Sequence, residues 1–392
     1  MIHWRGRANT ACRIVTVRDE LTAIATQHST PRSTPEPVPQ TRDGGIDAFR
    51  FLMAMGVIVG HVLSLLPNPV GQPWGMPAWA VPIDAVLRSA VPFFFIVSGY
   101  FFRYDRGFAR TVRYVGLRIL PIYGLWMLVY FALGFLRPNP VPFRLLMLAE
   151  GGYGYHLWFL PALAFGLVTV SASVAIGGRR LAAAVVVLLA LLGPILFDYH
   201  ALVGIPEYSH HLSDLKRQLA APAFVFIGYA LRGTQPARLD ASIALCLVSL
   251  ATLLCERYFL AFVAVNPAVW NAESIVSTFL LGTSVFMLAR SLNGCPVVAR
   301  LQSWGFLTLP VYLCHLAYVW LFQRITPAVP ARTLVIFLLV AICSVATAVI
   351  LVRIPLIRTV AAAPGGRRDT KLTQGGQLLV QRWRKRWDSN PR

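Results

Sequence analysis

The sequence predicts an all-α membrane protein, a polytopic bundle of about ten transmembrane helices. Three observations predict it: 56% of the 392 residues are hydrophobic, only 13% are charged, and apolar runs of spanning length follow one another. A soluble domain carries about 25% charged residues. Because the apolar side chains exceed what one water-facing domain can bury, the surplus must face lipid.

The apolar runs mark the expected helices. A hydrocarbon core of about 30 Å needs roughly 20 apolar residues in helical conformation. The fifth and sixth runs are the shortest, so the count of ten depends most on them. The runs lie at 46–66, 83–102, 112–136, 156–176, 181–197, 217–231, 239–263, 274–292, 304–324 and 333–355.

The chain divides into three parts. We expect residues 43–358 to form the transmembrane domain. Residues 1–42 are polar, basic and rich in Ser, Thr and Pro, which is typical of a disordered tail. Residues 359–392 form a second basic tail, and no internal repeat is visible.

The distribution of Lys and Arg sets the expected orientation. With the amino terminus in the cytoplasm, 27 of the 36 Lys and Arg residues fall in cytoplasmic segments and 8 in external ones. Cytoplasmic loops carry such an excess of positive charge. We therefore expect a multi-pass protein of the inner (cytoplasmic) membrane with both termini cytoplasmic. The net charge of +20 indicates contact with membrane lipids, and no nucleic-acid partner is expected.

Neither a metal site nor a permanently bound cofactor is expected. The six cysteines form no CxxC pair and most of them lie in apolar runs, so they predict neither disulfides nor zinc. The external loop 198–217 contains several side chains of metal-ligand type beyond its first residue, but their spacing favours a polar loop that contacts a glycan. These are His200, Glu207, His210, His211 and Asp214.

The first apolar run contains three ionisable residues: Asp47, Arg50 and His61. Asp47 and Arg50 are three apart, and the eleven residues from Arg50 to His61 make about three helical turns, or ~16 Å. Taken singly, Arg50 could extend to the inner headgroups and His61 could hydrogen-bond a neighbouring helix. Three such residues on one helix face favour a functional site, because ionisable groups inside a span are unfavourable.

The next two runs add further candidates. The aromatic row around Phe94 could wall a slot for an acyl chain, although its composition favours lipid-facing packing. The cytoplasmic arginine cluster 103–118, which includes Arg113 and Arg118, suits a phosphorylated nucleotide or serves as a topology signal. His315, inside the ninth run, is either a second functional residue or a packing histidine.

These segments resemble the motifs of the acyltransferase-3 family of integral-membrane acyltransferases. Five segments in the family's order carry the resemblance, which covers about residues 46–355. They are Asp47-Ala48-Phe49-Arg50 with His61 after ten residues, Pro92 to Tyr100, Arg113 to Tyr123, His156 to Leu160, and Pro310 to His315.

The resemblance implies transfer of an acyl group, usually acetyl, from cytoplasmic acyl-CoA to a hydroxyl of a surface polysaccharide or lipid-linked glycan. It implies that His61 acts as general base or transient acyl carrier. Arg50, with Arg113 or Arg118, would hold the CoA phosphates or the thioester carbonyl. Ser98 would help to shape the site.

Two hypotheses follow for function. The first is an O-acyltransferase that uses acyl-CoA (acetyl-CoA) as donor and a glycan or glycolipid as acceptor. The second is a secondary transporter of a small solute or glycan precursor, which the lack of a repeat disfavours. For the enzyme we assign Asp47, Arg50 and His61 to catalysis, and Ser98, Phe94, Arg113, Arg118 and His315 to substrate binding.

Overall fold

The computed structural model describes residues 43–66, 76–135, 145, 147–200, 202–204, 216–262, 275–327 and 331–354. Both predicted tails, 1–42 and 359–392, lie outside these residues. Within the described ranges every regular element is helical.

The helices are numbered here in chain order. Short 3₁₀ turns lead into α2, α4, α7 and α12, and a π-helical turn joins α4 to α5. The helices are α1 (Gly44–Leu63), α2 (Val81–Leu87), α3 (Ala90–Phe101), α4 (Phe108–Tyr114), α5 (Leu120–Gly134), α6 (Met147–Glu150), α7 (Phe159–Phe197), α8 (Lys216–Ala230), α9 (Leu239–Phe262), α10 (Val276–Ser291), α11 (Pro296–Leu301), α12 (Thr308–Ile325) and α13 (Arg332–Arg353).

The prediction of a polytopic helical membrane protein is confirmed. Among the described residues, seven helical stretches are long and apolar enough to cross a membrane, and α10 is a shorter apolar helix. The count of ten stays a prediction. The seven stretches are Gly44–Leu63, Ala78–Phe101, Phe108–Gly134, Tyr155–Phe197, Leu239–Phe262, Pro296–Ile325 and Arg332–Arg353.

Two of these stretches are broken by residues that interrupt a helix. In α7 the backbone leaves helical geometry at Gly177 and at Gly178, which has a φ of 68° that favours glycine. The break separates the two predicted runs 156–176 and 181–197. The second stretch turns at Arg88 and Ser89 between α2 and α3. Pro92 explains this turn, because it has no N–H to donate to the carbonyl of Arg88.

Helices α3 and α8 pack with their backbones in near contact. A Cβ placed on Gly99 of α3 would lie 2.7 Å from the carbonyl carbon of Val225. A Cβ on Gly228 of α8 would lie 2.7 Å from the amide nitrogen of Tyr100. The two helices therefore approach each other most closely where these glycines leave room for the backbone. Small residues at such crossings are a general feature of membrane bundles.

The start of α1 is held by its own capping residue and by contacts with two later segments of the chain. Asp43 caps the helix through its side chain, which accepts a hydrogen bond from the amide of Ile46 at 3.2 Å. The amide of Gly44 donates to Oδ1 of Asn293 at 3.0 Å. A Cβ on Gly305 would lie 2.7 Å from the carbonyl oxygen of Asp47. Helix α1 is therefore held between α10 and the 3₁₀ turn Gln302–Leu307.

The aromatic row of α3 lies inside the bundle, so the prediction of lipid-facing packing is wrong. Phe93, Phe94 and Phe95 are all buried. The Phe95 ring lies 4.7 Å from that of Phe159, and 6.2 Å from that of Phe224, centroid to centroid. The row is core because α7 and α8 cover it.

We expect Gly99→Ala to destabilise the protein, because the added methyl group meets the backbone of α8. Overpacking of this kind costs roughly 1–3 kcal/mol. Gly124→Ala is the matched control: Gly124 also lies in a helix, and no described atom lies within 4 Å of its Cβ position. Thermal unfolding of both variants in detergent checks the prediction. Equal midpoints for the two would contradict it.

Candidate active site

Helix α1 carries candidate residues near both of its ends. It runs without interruption from Gly44 to Leu63, so Arg50 and His61 are separated by about 16 Å of helix. Arg50 lies in its second turn and His61 in its last turn. The helix thus connects two chemically different regions of the bundle.

The region near the start of α1 contains an ion pair. Nη1 of Arg50 lies 3.2 Å from Oδ1 of Asp47, and both side chains are largely buried. The backbone of Asp47 is packed against Gly305. About 21 Å of helix separate Asp47 from His61. The structure therefore places Asp47, which the sequence analysis assigned to catalysis, beside Arg50 and far from His61.

The region near the end of α1 is a cluster of aromatic and imidazole rings around His61. Oη of Tyr155 lies 3.1 Å from Nδ1 of His61. The ring of His315 stacks on that of His61, with centroids 5.1 Å apart and planes at 30°. His156 joins from the start of the α7 stretch, its centroid 5.0 Å from that of His315. The tertiary structure thus brings together histidines from three separate spans.

Hydrogen bonds to the backbone fix the tautomer of His315. Its Nδ1 lies 2.6 Å from the carbonyl oxygen of Tyr312. Since a carbonyl only accepts, Nδ1 must carry the proton, and a neutral His315 has its lone pair on Nε2. This Nε2 is buried and has no hydrogen-bond partner among the described residues.

The same reasoning applies to His156. Its Nε2 lies 3.4 Å from the carbonyl oxygen of Leu313, so Nε2 is the protonated nitrogen. The lone pair is then on Nδ1, which is also buried and lacks a partner in the described ranges. A buried acceptor without a partner costs about 1–3 kcal/mol. Two of them in one cluster indicate a place for bound water or a ligand.

The predicted residues of α3 lie beside this cluster. The ring of Phe94 is 6.5 Å from that of Tyr312, whose own ring is 5.8 Å from His315. Ser98 lies one turn further along α3 and donates its hydroxyl to the carbonyl of Phe94 at 2.7 Å. Phe94 therefore forms part of the apolar wall, and Ser98 stabilises the backbone of that wall.

The predicted arginines lie elsewhere. Arg113 and Arg118 are exposed along α4 and the π-helical turn Val115–Ile119. In this turn the amide of Leu120 bonds to the carbonyl of Val115, five residues back. Such wide turns are rare in proteins, but those that occur are often found at functional sites. The structure does not bring Arg113 and Arg118 into the histidine cluster.

The loop before α4 adds one ion pair to this basic segment. Nη2 of Arg103 lies 3.1 Å from Oδ2 of Asp105, at an exposed position. The hydrogen bond from Arg103 holds the pKa of Asp105 below its ordinary value. Asp105 is therefore ionised at neutral pH and offsets only one charge of the arginine cluster.

A metal centre is not evident in the described ranges, where no group of three or more metal-ligating side chains has suitable geometry. Most of the loop 198–217 lies outside those ranges. His200 is described, and its Nδ1 lies 3.0 Å from the carbonyl oxygen of Phe197. The carbonyl accepts, so this nitrogen is occupied by a local hydrogen bond.

Comparison with known proteins decides the family. A family model described as an acyltransferase domain matches residues 43–353. The chain belongs to the acyltransferase-3 family. The match covers the whole described helical part, so the helices α1 to α13 form an acyltransferase-3 domain.

Curated relatives share sequence with the acyltransferase-3 chain over the same region. An amino-acid racemase of Enterococcus faecalis is 27% identical over 328 residues, which are 77% of this chain and 45% of that protein. A serine/alanine racemase of Enterococcus gallinarum is 30% identical over 241 residues, 56% of this chain and 33% of that protein. The chain thus spans less than half the length of these relatives. No solved structure matches.

Sequence reasoning missed three members of the cluster: Tyr155, His156 and Tyr312. The hydroxyl of Tyr312 donates to the backbone carbonyl of His156, which ties α12 to the start of the α7 stretch. The hydroxyl of Tyr155 lies within hydrogen-bond distance of His61. Tyr155 directly precedes the motif His156 to Leu160, and the other two residues lie inside the motifs. Spacing along the chain could not show that these two distant spans contact each other.

We expect Tyr155→Phe to lower acyl transfer about three- to tenfold, because loss of one hydrogen bond of roughly 1 kcal/mol releases the His61 ring. Tyr258→Phe is the control, since Tyr258 is exposed and packs on Phe262. Transfer is measured in membrane vesicles that retain their own acceptor, as radiolabel passed from acetyl-CoA to base-labile esters. An unchanged rate in Tyr155→Phe would refute a role for this contact.

Proposed function

We propose that the protein transfers an acyl group, usually acetyl, from cytoplasmic acyl-CoA to a hydroxyl of a surface polysaccharide or lipid-linked glycan. The observation that carries the proposal is the cluster of His61, His315 and His156 with Tyr155 inside the membrane domain. An imidazole held at a defined position inside an apolar bundle suits proton abstraction from a hydroxyl.

The hydrogen bond of Tyr155 is compatible with catalysis at one nitrogen of His61. If Nδ1 carries the proton and donates to Oη of Tyr155, the lone pair of His61 is on Nε2. As a general base, Nε2 takes the acceptor's hydroxyl proton while the hydroxyl oxygen attacks the thioester carbon. The C–S bond then breaks, and the departing thiolate takes up that proton. The same Nε2 would serve as transient acyl carrier.

The other end of α1 supports a donor that enters from the cytoplasm. Arg50 is about 16 Å from His61 along the helix, and the arginine cluster 103–118 lies on the same side of the predicted topology. Phosphates of CoA are anions that guanidinium groups bind well. An extended thioester arm can then reach inward toward His61. This arrangement requires the cytoplasmic termini and the inner-membrane location that the charge asymmetry predicts.

The apolar wall supports a short acyl group. Tyr312 lies beside the imidazoles of His156 and His315, and Phe94 packs on Tyr312; both rings are buried. A pocket lined by rigid rings discriminates among acyl chains by size. The acceptor would approach from the side of Tyr155, whose exposed fraction is 47%. Donor and acceptor would thus meet at His61 from opposite directions.

His61→Ala is expected to abolish ester-linked acyl groups on cell-surface glycans, because both proposed mechanisms require its imidazole. The measurement is the acyl group released by mild base from cells that express the wild type or the variant at equal levels. Tyr258→Phe is again the control, since Tyr258 is exposed and packs on Phe262. Equal acylation in wild type and His61→Ala would end the proposal.

Arg50→Gln is expected to raise the acetyl-CoA concentration needed for half-maximal transfer by about tenfold, since a charge-assisted contact contributes roughly 1.5–3 kcal/mol. The maximal rate should change little, because Arg50 lies far from His61. Arg300→Gln is the control: Arg300 is exposed on α11 on the same predicted side. A change confined to the maximal rate would contradict donor binding by Arg50. The vesicle assay described above measures both quantities.

A further inference from the structure

Two imidazoles of the histidine cluster have hydrogen-bonding capacity that the described residues leave unused. His156 is 2% exposed and His315 is fully buried. Each donates its one N–H to a backbone carbonyl of α12, His156 to Leu313 and His315 to Tyr312. Nδ1 of His156 and Nε2 of His315 have no hydrogen-bond partner in the part of the chain that the structure describes. Each of these nitrogens therefore presents a lone pair that can only accept.

Two tyrosine hydroxyl groups close to these imidazoles are already used elsewhere. The ring of Tyr130 lies 5.0 Å from that of His156, but its hydroxyl donates to the carbonyl of Leu313 at 2.8 Å. The ring of Tyr312 lies 5.3 Å from that of His156, and its hydroxyl donates to the backbone carbonyl of His156. Because a tyrosine has only one hydroxyl proton, neither can also donate to a lone pair of the cluster.

The chemistry of the lone pairs defines the kind of partner that they need. A lone pair requires a hydrogen donor, whereas a thioester carbonyl and an ionised phosphate only accept. A metal ion would also bind lone pairs, but the described residues include no group of three or more side chains that could hold one. Water and hydroxyl groups can donate. Of the two substrates of the proposed reaction, the glycan acceptor is the one richest in hydroxyl groups.

Burial increases along the cluster from Tyr155 inward. Tyr155 is 47% exposed, and its hydroxyl lies 3.1 Å from Nδ1 of His61, which is half-buried. The ring of His315 stacks on that of His61 at 5.1 Å, and the ring of His156 lies 5.0 Å from that of His315. The two buried imidazoles thus lie one and two rings further in than His61. A molecule that enters past Tyr155 meets His61 first and the two lone pairs after it.

We propose that His156 and His315 bind the acceptor through hydroxyl groups that are not themselves acylated, beside the hydroxyl on which His61 acts. This assignment rests on the proposed function and extends it, because it makes the two imidazoles selective for a polyhydroxylated acceptor. A sugar ring carries neighbouring hydroxyl groups, whereas an alcohol with one hydroxyl has none to spare. A buried lone pair left without a donor is unfavourable, so the site disfavours the simpler alcohol.

The test offers two ring alcohols of similar size as soluble acceptors in the vesicle assay. trans-1,2-Cyclohexanediol has a second hydroxyl beside the first, and cyclohexanol lacks it. The labelled acetyl ester of each alcohol is measured at rising concentrations. We expect the wild type to use the diol at least about tenfold more efficiently, because a site that binds a hydroxyl discriminates against the analogue without it.

Matched variants separate the lone pair from the ring. His315→Phe keeps a ring and loses the acceptor, while in His315→Gln the amide oxygen can take the place of Nε2. His156→Phe and His156→Asn make the same comparison for Nδ1. We expect the diol preference to fall to within about threefold in the Phe variant of the imidazole that receives the second hydroxyl, and to return in its amide counterpart. Acetyl-CoA half-saturation should stay at the wild-type value in all four.

Cys314→Ala is the matched control. Cys314 directly precedes His315 on α12 and is also buried, but its thiol is directed to the backbone carbonyl of Ser344 on α13 at 3.7 Å. Its diol preference and its rate per folded molecule should match those of the wild type. The amount of folded protein is measured by gel filtration in detergent. A Phe variant that does not fold is replaced by the Leu variant, which also lacks an acceptor.

Each outcome decides a separate point. Equal use of the diol and of cyclohexanol by the wild type, or a diol preference that persists in both Phe variants, overturns the assignment. The lone pairs then hold only water, while the proposed function stands. A raised acetyl-CoA half-saturation in the Phe variants also overturns it, since the imidazoles would then bind the donor.

Transfer to the vesicles' own acceptor separates the remaining cases. If neither alcohol is used, we expect this transfer to be at least about tenfold lower in a Phe variant than in its amide counterpart, and equal rates at both positions overturn the assignment. A folded wild type that transfers no acyl group to any acceptor overturns the proposed function itself.

Discussion

The shortage of water inside a membrane bundle is the constraint on which this structure depends. Every polar group placed there must find its partner within the protein. The carbonyl groups of Tyr312 and Leu313 on α12 take this role, because they accept hydrogen bonds from His315, His156 and Tyr130. These bonds fix the imidazole tautomers and, at the same time, join three spans. The same hydrogen bonds therefore define the polar site and hold the helices of the bundle together.

Close packing at a few glycines makes that arrangement possible. Gly305 admits the backbone of Asp47, and Gly99 admits the backbone of α8. Because α1 is fixed at its start, its last turn has a defined position against α12, and His61 stacks on His315 there. Small residues far from the chemistry thus determine the distance between two imidazoles. A shift of about 1 Å at such a distance is enough to impair catalysis.

The two ends of α1 have different tasks in the proposed reaction: one binds the anionic donor, and the other acts on the hydroxyl of the acceptor. The arginines lie toward the end where α1 begins, and the histidine cluster lies toward the other. The separation keeps phosphate-binding charge away from the imidazole. Donor recognition and chemistry can then be altered independently by mutation.

The sequence alone determined the class of fold, the approximate helix ends and the family, because hydropathy and local motifs are properties of short segments. It also named His61 and His315 as candidate site residues; the structure stacks their rings, and their roles remain predictions. Only the tertiary structure decided that Tyr155 and His156 join them and that the row around Phe94 is core. The reason is that pairing between distant spans depends on packing, which local spacing does not encode.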